Sequence, residues 1–266
     1  MISNKSYLFV DGSYLKKILK LFQEKFYDDE PDPIIFCECI KGNSEKAFYY
    51  DAYPGRKKDE PYEDYQSRTQ VAEEEFSEIS SKPGWHVNVG FTKGQGKRVR
   101  QKGVDVQLAI DALMHRIRGN CDHITLLAGD LDFHPLAKAL VEAGAFLKLL
   151  CDPTSVSDEL RQAVDSVEYI TPRNTSKYVR NWPNRNREIQ LTQVNDSDLP
   201  QGEVFKNGIF SNGSAEIIKS DDNNAHLIIK YRNTNSHHQQ MTYNCPEKLL
   251  FYARYERPDI KWTDPK

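Results

Sequence analysis

Four aspartates carry the chemistry this sequence could do. Asp11 closes the apolar run Tyr7-Leu8-Phe9-Val10 and precedes Gly12. Asp130 and Asp132 follow the run His123 to Ala128, just past Gly129. Asp105 opens a stretch with apolar residues at helical spacing. Carboxylates brought together raise each other's pKa, so a fold that gathers them usually holds a cation there. Carboxylate and water oxygens suit Mg²⁺ or Mn²⁺. Such an ion activates water and offsets charge on a phosphoryl oxygen, which is what phosphodiester hydrolysis needs.

Each acid also has a plainer use. Asp132 could cap a helix beginning at Phe133. Asp105 could complement a helix dipole. Asp11 before Gly12 could be turn chemistry. Asp111 lies six residues after Asp105, on a different helix face. It could support the site from behind or be an ordinary ion-pair acid. Nothing structural, however, requires four acids at one sheet edge.

The stretch Thr92 to Gly103 holds Lys93, Lys97, Arg98, Arg100 and Lys102 with three glycines and no acid. It leads directly into Asp105. A solvated loop is the plain reading, and a flap that grips phosphates is the functional one. His115, His123 and His134 lack metal-ligand spacing and read as structural. His237-His238 reads as a polar turn.

The elements that must position these groups follow from periodicity. Tyr7 to Val10 and His123 to Ala128 are short apolar runs of the kind buried parallel strands show. Leu15, Ile18, Leu19, Phe22 and Phe26 recur at helical spacing. Ile34 to Ile40, Ala47 to Ala52, Trp85 to Phe91, Phe146 to Cys151 and Val167 to Ile170 are further candidate strands. Tyr62 to Ser80, Val104 to Arg118, Phe133 to Ala143 and Ser157 to Val164 read as helices. Strands alternating with helices predict an α/β fold, a parallel sheet flanked by helices. In such sheets ligands bind beyond the carboxyl ends of the strands, where Asp11 and Asp130 fall.

After Ile170 the style changes. Residues 173–187 read as a linker rich in Asn, Arg and Pro. Residues 188–266 read as a small C-terminal β-rich module, with a hairpin signal at Ser211-Asn212-Gly213-Ser214. Glu247 to Tyr255 is a candidate helix. Tyr231, Tyr243, Phe251, Tyr252, Tyr255 and Trp262 could stack on unpaired bases. They could equally be the core that a small domain needs in order to fold.

The 266 residues carry a net charge of -3. Residues 1–170 contribute -6 and residues 171–266 contribute +3. An acidic first part is compatible with nucleic acid if some of its acids hold cations. Five scattered cysteines do not make a disulfide framework. No window approaches the ~20 apolar residues of a membrane helix. A cytoplasmic protein without a membrane partner is expected.

Together these residues resemble the NYN domain, a branch of the PIN-like nucleases, and most closely its LabA-like group. The resemblance is carried first by Phe9-Val10-Asp11-Gly12. It continues in Gln101-Lys102-Gly103-Val104-Asp105-Val106 with Leu108 and Asp111-Ala112-Leu113. Its third part is Ala128-Gly129-Asp130-Leu131-Asp132-Phe133. Glu142-Ala143-Gly144, Ser157, Leu160 and Asp165 also fit. It spans roughly residues 5–170. It implies a PIN-like fold over 1–172, Mg²⁺ or Mn²⁺ held by Asp11, Asp105, Asp130 and Asp132, and cleavage of RNA. The family often has Asn three residues after the first Asp, where this chain has Tyr14. Ser13 is the polar group that stands in, as a substrate contact.

The expected activity is metal-dependent cleavage of nucleic acid, single-stranded RNA before DNA. The alternative is a PIN-like module that binds RNA or protein without cutting. A homo-oligomer or a protein partner would engage the C-terminal module.

Overall fold

The computed structural model describes residues 5–93, 100–184, 189, 191–221, 224–232 and 237–265. The chain divides into two compact units. One comprises residues 1–20 and 35–170, the other residues 21–34 and 171–266.

The first unit alternates strands and helices. Its elements are β1 (Ser6–Asp11), α1 (Gly12–Lys25, whose last turns belong to the second unit), α2 (Cys37–Lys41), β2 (Lys46–Ala52) and α3 (Tyr62–Ser80). Then come β3 (Trp85–Lys93), β4 (Arg100–Lys102), α4 (Val104–Ile117), β5 (His123–Leu127) and α5 (His134–Glu142). β6 (Phe146–Cys151), α6 (Asp158–Gln162) and β7 (Ser166–Tyr169) complete it. The sheet order is β4-β3-β2-β1-β5-β6-β7, parallel except where β4 joins β3.

The order explains the sequence pattern. β1 is central and its residues are buried on both faces, so it reads as a continuous apolar run. Phe9, Leu126 and Leu149 share one core with Leu108 of α4, Leu140 of α5 and Leu160 of α6. Tyr49 of β2 meets Phe76 of α3, ring centroids 6.3 Å apart. Val10 pairs with Tyr49 on one side and with Leu127 on the other. The carboxyl ends of β1, β2 and β5 therefore lie side by side.

Two expectations for this part of the chain need correction. Ile34 to Ile40 does not form a strand; α2 takes it up from Cys37 and ends at Gly42, whose φ of 51° is left-handed. A short apolar run fits either element, and only Cys37 of this helix is buried. Thr92 to Gly103 is not one loop. Lys93, Arg100 and Lys102 lie in β3 and β4, which pair as antiparallel strands. Lys97 and Arg98 fall outside the described residues.

The second unit is built on an antiparallel sheet. Its strands are β8 (Thr192–Asn195), β9 (Glu203–Phe210), β10 (Gly213–Lys219), β11 (Ala225–Tyr231), β12 (His237–Tyr243) and β13 (Lys261–Thr263), with α7 (Pro246–Glu256) before β13. Their order is β13-β9-β10-β11-β12-β8. The expected hairpin turns at Ser211-Asn212, between β9 and β10. His237-His238 is not a turn. It opens β12, and His238 is buried with its ring 2.7 Å from Asp196. Four of the seven β12 residues are His or Gln, so the strand lacks an apolar signature.

Aromatic rings fill this unit's core. Tyr243, Tyr252 and Tyr255 are buried. Phe26 stacks on Tyr243 at 5.4 Å, and Phe22 meets Tyr255 edge-on at 5.2 Å. Tyr27 stacks on Trp182 and donates a hydrogen bond to the Pro172 carbonyl. No helix among the described residues is long and apolar enough to cross a membrane.

Phe26 should therefore be a stability determinant of residues 171–266, far from it in sequence. Phe26→Ala is expected to cost about 3–5 kcal/mol, as large-to-small core changes do. Urea unfolding measures it. A loss under about 1 kcal/mol would contradict this packing.

Candidate functional site

Two glycines let the sheet ends come together. The Tyr49 ring lies so close to Gly12 that an added Cβ would sit 2.4 Å from it. The Tyr14 hydroxyl lies equally close to Gly129, 2.2 Å from such a Cβ. Neither ring can easily retreat. Tyr49 donates to Glu75 at 3.0 Å, and Tyr14 accepts the Asp152 backbone N–H at 2.9 Å. The Asp-Gly and Gly-Asp pairs of the sequence are thus packing requirements as well as carriers of carboxylates.

Asp11 is buried at the end of β1. Its Oδ1 accepts the Ser13 hydroxyl at 2.9 Å and the Tyr14 backbone N–H at 3.0 Å. Burial nevertheless pushes its carboxyl up to about 6, and the nearby charges of Asp105 and Asp51 add to the rise. The two hydrogen bonds pull the other way without cancelling it.

Asp105 stands in the first turn of α4, after Gly103 with a left-handed φ of 84°. Its carboxyl is also raised, by burial first and then by Asp130 and Asp132. Asp130 and Asp132 are both exposed. The capping role considered for Asp132 belongs to Asp130, which accepts the Asp132 N–H at 3.0 Å and starts the 3-10 helix Leu131–Phe133. Asp105 is therefore the acid within electrostatic reach of the other three.

Asp111 faces elsewhere. It accepts from the Tyr50 hydroxyl at 3.0 Å and from Gln107 at 2.8 Å. His115 packs among Tyr7, Phe9 and Phe48, and burial lowers its pKa. Ser13 is already engaged with Asp11.

Sequence reading passed over Asp51 and Lys16. Asp51 is 1% exposed near the carboxyl end of β2, with Lys16 Nζ 2.5 Å from its Oδ2. An acid near the end of an apolar run was the signal, the same one that marks Asp11. The use of Tyr14 was missed as well. It fills the space over Gly129 beside the end of β1.

Among the described residues no group of three or more His, Cys, Asp or Glu side chains is drawn close enough to hold a metal ion. The donor set still suits a hard divalent cation in kind. It is all carboxylate oxygen, and two of its members are held above their ordinary pKa partly by their neighbours.

Ionised Asp11 costs the metal-free fold stability, because its folded pKa lies above the unfolded one. The cost is absent below about pH 4, grows towards pH 6 and is complete above it. Asp11→Asn keeps the acceptor for Ser13 and Tyr14. In a chelator at pH 8 it should add roughly 2–3 kcal/mol, a gain that vanishes near pH 4. Thermal melts across that range decide it. A variant no more stable than wild type at pH 8 would mean that Asp11 is not strained.

A model of the NYN domain matches residues 5–171. No curated protein matches the chain. A crystal structure of a protein of unknown function from Vibrio parahaemolyticus is 15% identical, covering 67% of this chain and 97% of that one, with a TM-score of 0.44. The family match takes in nearly all of the first unit, including both glycine pairs and all four acids. The chain belongs to the NYN domain family, whose fold is that of the PIN-like nucleases.

Proposed function

We propose that this chain is a cytoplasmic, metal-dependent nuclease of the LabA-like kind, hydrolysing phosphodiester bonds in single-stranded RNA. The observation that carries the reading is the placement of buried Asp11 at the carboxyl end of β1, beside β5, which Asp130 and Asp132 follow. The carboxyl ends of neighbouring parallel strands are where ligands bind in such sheets, and a cation there would offset the acids' charge. Five free cysteines fit a reducing compartment.

In this reading Asp11, Asp105, Asp130 and Asp132 would hold Mg²⁺ or Mn²⁺. The ion, when bound, supplies Lewis acidity that activates water and offsets charge on the phosphoryl oxygens. The chain's own residues orient the acids. Ser13 and the Tyr14 N–H fix one oxygen of Asp11, leaving its second free to turn to a ligand. Lys93, Lys97, Arg98, Arg100 and Lys102 would grip flanking phosphates. The proximity of β4 to Asp105, with only Gly103 and Val104 between them, supports that role.

A second reading is that the chain binds RNA without cutting it. The lack of a pre-gathered group of three ligands among the described residues favours it. Cleavage assays separate the two. Purified protein with labelled RNA and DNA oligonucleotides should cut RNA in Mn²⁺ or Mg²⁺ and nothing in EDTA. Asp130→Asn should lower the rate at least about 100-fold. Its fold should survive, because Asn caps a helix as well as Asp does. Binding without metal-stimulated cleavage would establish the second reading, and cleavage of DNA alone would correct the substrate.

A further inference from the structure

A groove of about 840 Å³ lies between α1 and α3 and reaches Ser13, the residue bonded to Asp11. Ser13, Lys17 and Lys20 line one side, Val71 and Ala72 the other, and Ala52 lies between. The helices present these residues by spacing. Ser13, Lys16, Lys17 and Lys20 fall three and four apart on α1, on the face opposite its buried apolar stripe. Val71 and Ala72 follow Ser67 and Arg68 at the same spacing on α3.

The charges divide into fixed and available ones. Lys16 is pinned by Asp51 at 2.5 Å and Glu75 at 3.4 Å, and sits over the Phe76 ring. Arg68 is held by Glu60 at 2.8 Å. Lys17 and Lys20 are exposed and have no ion pair among the described residues. Across from them Val71 is 64% exposed. One wall thus offers two uncommitted cations, and the other places the apolar Val71 and Ala72 among Ser67, Arg68 and Glu75, the last two already in ion pairs. Ser13, at one end, is bonded to Asp11.

We infer that this groove holds the single-stranded nucleic acid on one side of the bond to be cut. This rests on the nuclease reading of the acid site. Lys17 and Lys20 take the phosphates of that segment, and Val71 packs against a base or ribose. A single strand can turn its phosphates to one side and its bases to the other, as the groove sets its free lysines on one wall and Val71 on the opposite one. Continuity from Asp11 through Ser13 puts the segment next to the reacting phosphate. An acidic peptide would match the lysines but gains nothing from that continuity.

The test is binding of a fluorescent 12-nucleotide oligo(U) RNA to the full chain in EDTA, read by anisotropy over a range of salt. Wild type should bind with a clear salt slope. The double variant K17A/K20A should bind about tenfold more weakly. Its slope should be smaller by about 1.4, since each contact to a single-stranded phosphate contributes about 0.7. V71E should also weaken binding, and K138A, at an exposed lysine of α5, should not. Melting curves confirm that the variants fold. If wild type cuts RNA in Mn²⁺ while K17A/K20A keeps the wild-type slope, the groove inference falls and the nuclease reading stands. If wild type binds with the expected slope change but never cuts, the nuclease reading falls and the groove remains an RNA site. Absence of RNA binding by wild type overturns both.

Discussion

The first unit depends on burying one carboxylate at the end of its central strand. Asp11 sits where β1 runs out between β2 and β5, with almost no access to water. A buried charge is costly unless it is hydrogen-bonded or offset. Ser13 and the Tyr14 N–H serve one oxygen, and Asp105 and Asp51 still oppose ionisation. The start of α1 is arranged around that need. Its first residue must be glycine to admit Tyr49, its second donates to the acid, and its third reaches over to Gly129. The proposed cation would relieve that cost, and membership of the NYN family gives it a nuclease context.

The same helix turn separates two kinds of charge. Asp51 is buried as fully as Asp11 yet has Lys16 against it. A buried pair with good geometry is self-contained. Asp11 has no such cation, and its neighbours are acids. Neighbouring strand ends therefore carry one neutralised carboxylate and one that is not. The proposed cation site at Asp11 rests on that contrast.

Much of this was legible in the sequence. The runs before Asp11 and Asp130 announced strands, and their alternation with helices announced a parallel sheet. What periodicity could not supply was neighbourhood. Asp51 matters because β2 lies beside β1, a fact of sheet order that no local window contains. Tyr14 stood out as a departure from the family pattern, but its use depends on Gly129, over a hundred residues away. Phe22 and Phe26 read as one more turn of an amphipathic helix, and their partners Tyr255 and Tyr243 could not be named from spacing. α2 and β12 were misread for a local reason. Short or polar segments take their conformation from what they pack against.

The central claim is that Asp11 and its acidic neighbours form a cation site. Calorimetric titration of the full chain with Mn²⁺ at pH 6, repeated in buffers of different ionisation enthalpy, tests it most directly. Asp11 titrates near that pH, so binding should release protons. Asp11→Asn should remove that release and weaken binding at least about tenfold. Saturable Mn²⁺ binding that is the same in wild type and Asp11→Asn, with no proton release, would contradict the account.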